Sequence, residues 1–155
     1  MTDAPHTLPT EDVSRAGAPP AVPAPLALPA PLVDLLRGTA TCYLSTLMPD
    51  GSPQVTQTWV DTDGTDVLIN TVLGHQKTRN VARDPRVALA VSSPANPSRY
   101  VEVRGVVTDV TTDGADAHIE ALAQRYLGRP YPRYGGPDEQ RVVLRISPRR
   151  INAMG

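Results

Sequence analysis

The sequence predicts a mainly β fold: an antiparallel barrel of six strands with two to four short helices at its periphery. Two observations carry this reading. Six stretches rich in β-branched and apolar residues follow one another, and most are separated by hairpin-sized turn signals. The helical stretches between them are too few for the strand–helix–strand units of a parallel sheet.

The elements follow in chain order. Residues 1–30 hold seven of the seventeen prolines, mixed with Ala, Thr, Asp and Glu. That composition buries too little apolar surface to offset chain ordering, so a disordered or extended tail is expected ahead of one domain spanning 31–155. Pro31 to Gly38 reads as a helix, with proline at its start, Leu32, Leu35 and Leu36 at helical spacing and a glycine stop. Thr39–Leu47 and Pro53–Asp61 form a hairpin around Pro49-Asp50-Gly51, and Asp66–Val72 follows the Asp63-Gly64 turn. A short helix is expected from Thr78 to Asp84, because Pro85 disfavours helical geometry in the residue before it. Arg86–Ser93 and Arg99–Thr112 pair around Pro94 to Pro97, the second strand shifting register at Gly105, where a bulge is natural. Asp113 is expected to cap a helix from Gly114 to Leu127 with Ile119, Leu122, Ala123, Tyr126 and Leu127 as its apolar stripe. Gly128–Asp138 is a loop, and Arg141–Ile146 is the closing strand.

A net charge of −1 and a pI near 6.3 supply no basic footprint for nucleic acid or an anionic membrane. One cysteine, Cys42, leaves no internal disulfide and reads as core; with His6, His75 and His118 scattered there is no zinc spacing, so no metal is expected. No run of eighteen apolar residues and no signal-peptide pattern is present, so the expected location is cytoplasmic. A barrel of this size leaves part of an apolar face uncovered unless it pairs with a second copy, so a homodimer is expected.

The most informative position is Lys77, the only lysine beside fourteen arginines. It precedes the short helix predicted from Thr78, in a stretch Gly74–Arg86 with four basic residues and one acid. Helix starts carry unpaired N–H groups and a positive dipole end, so Lys77, Arg79 and the Thr78 and Asn80 donors, with Gln76 in the same stretch, read as a phosphate cradle. His75 lies beside it as a further phosphate contact or proton donor, against the plainer reading of a surface loop histidine. Tyr126, Tyr131 and Tyr134 cluster near the late loop and read either as packing or as a cover over substrate. No nucleophile elbow, dinucleotide fingerprint or Gly-Lys-Ser phosphate loop is present, and no catalytic residue is assigned.

The ordered motifs Ser45-Thr-Leu-Met-Pro-Asp-Gly51-x-Pro53, Trp59, Asp63-Gly64, Ile69-Asn-Thr71, Lys77-x-Arg79-Asn80-x-x-x-Asp84-Pro85-Arg86-Val87, Glu102-Val-Arg-Gly105 and Arg141-Val-Val-Leu-Arg-Ile-Ser-Pro148 resemble the pyridoxamine-phosphate-oxidase-like split β-barrel superfamily. Within it, they are most similar to the oxidoreductases that use the deazaflavin coenzyme F420. The resemblance spans residues 35–151 and implies an FMN-binding type of split barrel, a homodimer with cofactor sites at the subunit interface, and hydride transfer between reduced deazaflavin and a small unsaturated substrate. Lys77, Arg79 and Asn80 match the phosphate-binding stretch and Thr71 a further donor. Ser45, Thr46, Gln57, Thr58 and Trp59 match positions bordering the ring. The family's C-terminal aromatic is replaced here by Asn152-Ala-Met154-Gly155. Two alternatives stand beside this reading: an FMN-binding oxidase or flavin reductase, and a non-catalytic module holding a cofactor or tetrapyrrole.

Overall fold

The computed structural model describes residues 21–154. Its elements are α1 (Ala30–Arg37), β1 (Thr41–Leu47), β2 (Pro53–Thr58), β3 (Asp61–Thr62), β4 (Val67–Val72), α2 (Gln76–Arg83), β5 (Arg86–Ser93), β6 (Asn96–Thr111), α3 (Ala115–Leu127) and β7 (Arg141–Met154). The strands form one antiparallel sheet in the order β2-β1-β5-β6-β7-β4-β3. Both flanks of this sheet feed one core: Leu44 of β1, Leu89 of β5, Val103 of β6, Ile69 of β4 and Leu144 of β7 pack in a single cluster with Leu32 and Leu36 of α1. Cys42 is buried there, and desolvation pushes its thiol up to about 12, so it behaves as a small apolar side chain.

The mainly β expectation stands, with two corrections. The sheet has seven strands rather than six, because the 53–61 run leaves the β1 ladder after Thr58 and Asp61–Thr62 pair with β4 instead. The ladder ends at β2 and β3, which do not pair with each other among the described residues, so hydrogen bonds do not close a barrel. The last strand also continues past the expected stop at Ile146 to Met154. Pro148 is accommodated because it stands opposite Gly105 at a register shift, where the β6–β7 ladder is already interrupted.

That shift is the bulge anticipated at Gly105: Arg104 pairs with Arg150 and Gly105 with Pro148, leaving Arg149 as the extra residue. A Cβ on Gly105 would lie 2.7 Å from the Ser147 carbonyl oxygen and 2.8 Å from Ile146 Cγ2. The first is backbone of the paired strand and cannot turn aside. Gly105→Ala is therefore expected to destabilise the fold by about 1–3 kcal/mol, read as a lowered urea midpoint; an unchanged midpoint would mean the strands part without cost.

Helix starts differ from expectation. Helix α2 begins at Gln76, not Thr78, with His75 as N-cap residue, so Lys77 lies within its first turn rather than ahead of it. Asp113 does not cap α3; Gly114, at φ 69, takes that position without a side-chain bond. Of the tail expected over 1–30, residues 1–20 lie outside the described residues, and 21–29 run extended beside β7. There the Leu26 N–H donates to the Pro148 carbonyl at 2.8 Å, Arg149 donates to the Pro23 carbonyl at 2.8 Å, and Leu28 enters the core. Burial of one leucine is worth about 1.5–3 kcal/mol, so removing residues 1–29 is expected to cost about that much more stability than removing 1–20, measured by urea unfolding of the two truncations.

Candidate functional site

Strand β4 ends at Val72, the chain turns at Gly74 with φ 87, and α2 begins at once. This short path sets Thr71 and Lys77 on one wall of a cleft of about 660 Å³. The opposite wall comes from Gln57, Thr58 and Trp59 at the end of β2 and from Thr39 to Thr41 ahead of β1. Tyr126 and Leu127 of α3, Tyr131 and Tyr134 of the following loop, and Arg141 at the start of β7 complete it.

One end of the cleft is cationic. Lys77 is half-buried, and among the described residues no acid or hydrogen-bond acceptor reaches its ammonium. Desolvation, with the Arg141 charge adding to it, holds its pKa below the ordinary lysine value. His75 is likewise held below the usual histidine range, first by desolvation and then by Lys77 and Arg141. The Arg141 guanidinium is held by three side chains. Its Nε donates to Asn70 Oδ1 at 2.8 Å, its Nη1 to Glu139 Oε1 at 2.6 Å and to the Tyr131 hydroxyl at 3.2 Å, and it lies 5.1 Å from the Tyr131 ring centroid. Burial alone would raise the Glu139 carboxyl, but bonds from Arg141 and Tyr131 outweigh it and keep the group ionised.

Behind Arg141 runs a second layer. Asn70 Nδ2 donates to the Ala115 carbonyl at 2.8 Å and meets His118 Nδ1 at 3.2 Å, while His118 Nε2 lies 3.0 Å from Asp61 Oδ2. Since the Asn70 amide donates to Nδ1, the ring proton belongs on Nε2, facing Asp61. Arg125 donates to the other Asp61 oxygen at 3.0 Å. Burial pushes the Asp61 carboxyl up, and hydrogen bonds from His118, the Thr62 amide and Arg125 more than reverse it, so the group is held below the ordinary range.

An aromatic cluster adjoins these cations through Tyr131. Trp59 stacks on Tyr126 with centroids 5.2 Å apart and planes 11° from parallel, Tyr131 meets Trp59 edge-on at 6.5 Å, and Tyr134 meets Tyr131 at 5.7 Å. The Tyr126 hydroxyl fixes this wall, donating to the Ala40 carbonyl at 2.9 Å and accepting the Val60 N–H at 3.3 Å. A cation cluster joined to an aromatic slot suits a planar molecule that carries an anion.

Of the residues marked in the sequence, Lys77, Thr71, Gln57, Thr58 and Trp59 converge on this cleft, and His75, Tyr126, Tyr131 and Tyr134 join them. The cradle expected from the rest of the α2 stretch is not formed by side chains. Asn80 is fully buried, donating to Thr46 Oγ1 at 2.9 Å and accepting from Gln76 Nε2 at 2.8 Å, so Asn80, Thr46 and Gln76 tie α2 to β1. The buried Thr78 hydroxyl donates to the His75 carbonyl at 2.7 Å. Arg79 turns away to the Gly74 carbonyl and to Gln76 Oε1. Successive helical residues point about 100° apart, which turns Thr78 and Arg79 off the Lys77 face, whereas Asn80, about 60° from Lys77, is taken up by its bonds to Thr46 and Gln76. Ser45 lines a separate cleft. Thr58 Oγ1 is buried with no oxygen or nitrogen partner among the described residues, the Cys42 thiol across the strand pair being a weak one.

Sequence reading missed Arg141, Asn70, His118 and Asp61 as one connected set. Their only signal is tertiary: pairing of Val72 with Arg141 in the β4–β7 ladder brings residue 141 beside the α2 start. Among the described residues no helix is long and apolar enough to cross a membrane, and no cluster of three metal-ligand side chains occurs.

The family model described as pyridoxamine 5'-phosphate oxidase matches residues 28–155. A solved structure described as an F420 reductase is 34% identical, with TM-score 0.70, over 81% of this chain and 98% of that one. A conserved hypothetical protein from Mycobacterium tuberculosis is 28% identical, with TM-score 0.64, over 84% of this chain and 86% of that one. General Stress Protein 26 from Bacillus anthracis shares the fold at 20% identity and TM-score 0.59, over 78% of this chain and 88% of that one. No curated protein sequence matches. The family model spans most of the chain, and the chain belongs to the pyridoxamine 5'-phosphate oxidase family, in the branch that includes the F420 reductase.

Proposed function

We propose that this protein is an oxidoreductase that binds the deazaflavin coenzyme F420 in the Lys77 cleft and transfers hydride to or from a small unsaturated molecule. The observation carrying it is the half-buried Lys77 ammonium, without an acceptor among the described residues, at the head of a slot walled by Trp59. The residues fit such a group. Lys77, with Arg141 behind it, would hold the phosphate, Thr71 would add a hydroxyl, and Trp59 with Gln57 and Thr58 would border the ring. The coenzyme, when bound, supplies the hydride chemistry. The chain's part is to bind, orient and exclude water, with Tyr131 and Tyr134 covering the outer side.

A second reading, an FMN protein on the same fold, is favoured by one observation. Two of the arginines that could follow a longer acidic coenzyme tail are engaged elsewhere, Arg125 on Asp61 and Arg83 on the Leu47 carbonyl and Asn80, while Arg129 and Arg133 of the 125–133 stretch are exposed. A single phosphate needs fewer cations. Titrating the full chain with each cofactor and following fluorescence of Trp59, the only tryptophan, separates the two. Micromolar deazaflavin affinity with weaker FMN binding supports the first reading, and the reverse order overturns it in favour of FMN.

The same reading includes a homodimer with cofactor sites at its interface. It is supported by Tyr43, Val55, Tyr100 and Met154, exposed at 47, 60, 38 and 48% on the outer sheet face. Light scattering is expected to give twice the 16.6 kDa chain mass; a single-chain mass would refute it.

A further inference from the structure

Arg141 lines the cleft with Thr71, His75 and Lys77, yet most of its guanidinium faces protein. Its Nε and Nη1 are taken by Asn70, Glu139 and Tyr131, and Nη2 has no hydrogen-bond partner among the described residues. Nη2 is therefore the donor left for an anion. Its direction is set by what grips the other two nitrogens, because the guanidinium is a rigid planar fork.

The grip at Nε passes from β7 through β4 and α3 to β3. Arg141 Nε can only donate, so the Asn70 atom facing it is the amide oxygen; the Ala115 carbonyl can only accept, so the atom facing it is the amide nitrogen. Turned over, the buried Asn70 amide would satisfy neither. Its second N–H meets His118 Nδ1 at 3.2 Å, which accepts, and the ring proton stands on Nε2 toward Asp61. A second proton on His118 sets a donor on Nδ1 against the amide donor. Rotating the amide moves that conflict to Arg141 and Ala115 instead of removing it, so a neutral ring and an aligned Arg141 go together. The charged groups around the ring are Asp61 of β3, Arg125 of α3 on the same carboxylate and, across Asn70, the Arg141–Glu139 pair at the start of β7; β4 contributes the neutral Asn70.

We propose that Asn70 and His118 are positioning residues of the Lys77 cleft: the neutral His118 ring holds the Asn70 amide, the amide holds Arg141, and protonation of His118 releases the guanidinium and weakens anion binding. This rests on the reading of that cleft as the coenzyme site. The full chain would be titrated with deazaflavin, with Trp59 emission as the signal, at steps between about pH 8 and about pH 5.5, where imidazoles change charge. Two variants accompany it. His118→Asn can set an amide oxygen where Nδ1 stands and does not titrate, and His118→Leu removes the acceptor. The parent is expected to match His118→Asn at the alkaline end and to fall about tenfold below it in affinity on acidification, while His118→Leu is weakened about tenfold throughout. Titration of the ligand, and of His75, whose protonation adds a cation to the cleft and acts in the opposite sense, is common to parent and His118→Asn and drops out of their ratio. Parallel profiles for these two proteins overturn the proposal. Without coenzyme, the Arg141 Nε–H resonance in nitrogen-labelled protein is expected to move toward the free-arginine position on acidification of the parent and to stay in place in His118→Asn; a parent resonance indifferent to pH overturns the proposal by itself. If a variant fails to fold by circular dichroism, the parent resonance decides. A parent that binds neither deazaflavin nor FMN overturns the coenzyme reading, while the Arg141 resonance still decides the positioning roles.

Discussion

Lys77→Ala is expected to weaken coenzyme binding by roughly 1.5–3 kcal/mol, about ten- to a hundredfold in dissociation constant, with the fold retained. The ammonium is half-buried and, among the described residues, meets no acceptor, so the folded protein carries its desolvation without a compensating bond. A bound phosphate would supply that bond. The sign of the pH dependence follows. The pKa of Lys77 is depressed below the ordinary 10.5, so affinity is full at neutral pH and declines as pH rises through that lowered value, earlier than for an exposed lysine. In Lys77→Ala this alkaline limb should vanish. Because the depressed lysine binds its proton more weakly in the folded state than in the unfolded one, its contribution to stability improves as pH rises across the same window. Lys77→Met is thus expected to leave the melting temperature unchanged or higher. A Lys77→Ala protein that binds deazaflavin or FMN as tightly as the parent would remove the ammonium from the site.

Asn80→Ala is expected to act through the fold, lowering stability by about 2–4 kcal/mol, the cost of leaving several buried polar groups unpaired. The Asn80 side chain is fully buried and donates to Thr46 Oγ1 at 2.9 Å and more weakly toward Gln54 Oε1 at 3.4 Å and Met48 Sδ at 3.5 Å. Its oxygen accepts from Gln76 at 2.8 Å and from Arg83 at 3.2 Å. Without it, α2 loses its buried polar attachment to β1, keeping only the exposed Arg83 bond to the Leu47 carbonyl, and Lys77 is held less firmly. Urea unfolding together with coenzyme titration separates the possibilities. A large stability loss fits the attachment role; full stability with weakened binding would return Asn80 to the phosphate contacts.

The two residues show where sequence reading stops. Lys77 and Asn80 fall in one basic, polar stretch and look equivalent as phosphate donors. Residues three apart lie near one face of a helix, so their different fates come from packing: the short Asn80 amide is bonded to Thr46 of β1, while the longer Lys77 side chain lines the cleft. Arg141 was legible only as the first residue of a strand; its place beside Lys77 depends on β4 pairing with β7, some seventy residues apart in the chain. The bulge at Gly105 could be anticipated from a glycine inside an alternating strand, but the joining of Asp61, His118, Asn70 and Arg141 across four elements could not.

By itself the sequence determined what depends on near neighbours: the mainly β pattern, the turns at Gly51 and Gly64, the helix stop before Pro85, the tryptophan and the solitary lysine. These follow from local sterics, side-chain periodicity and proline or glycine backbone preferences, which act over a few residues. The tertiary structure alone decided the strand count, the open ladder, the docking of residues 21–29 on β7 and the identity of the cations facing the cleft. Those depend on strand register and helix rotation, set by the packing of the whole core, and a change of one residue in either turns a side chain from ligand to scaffold.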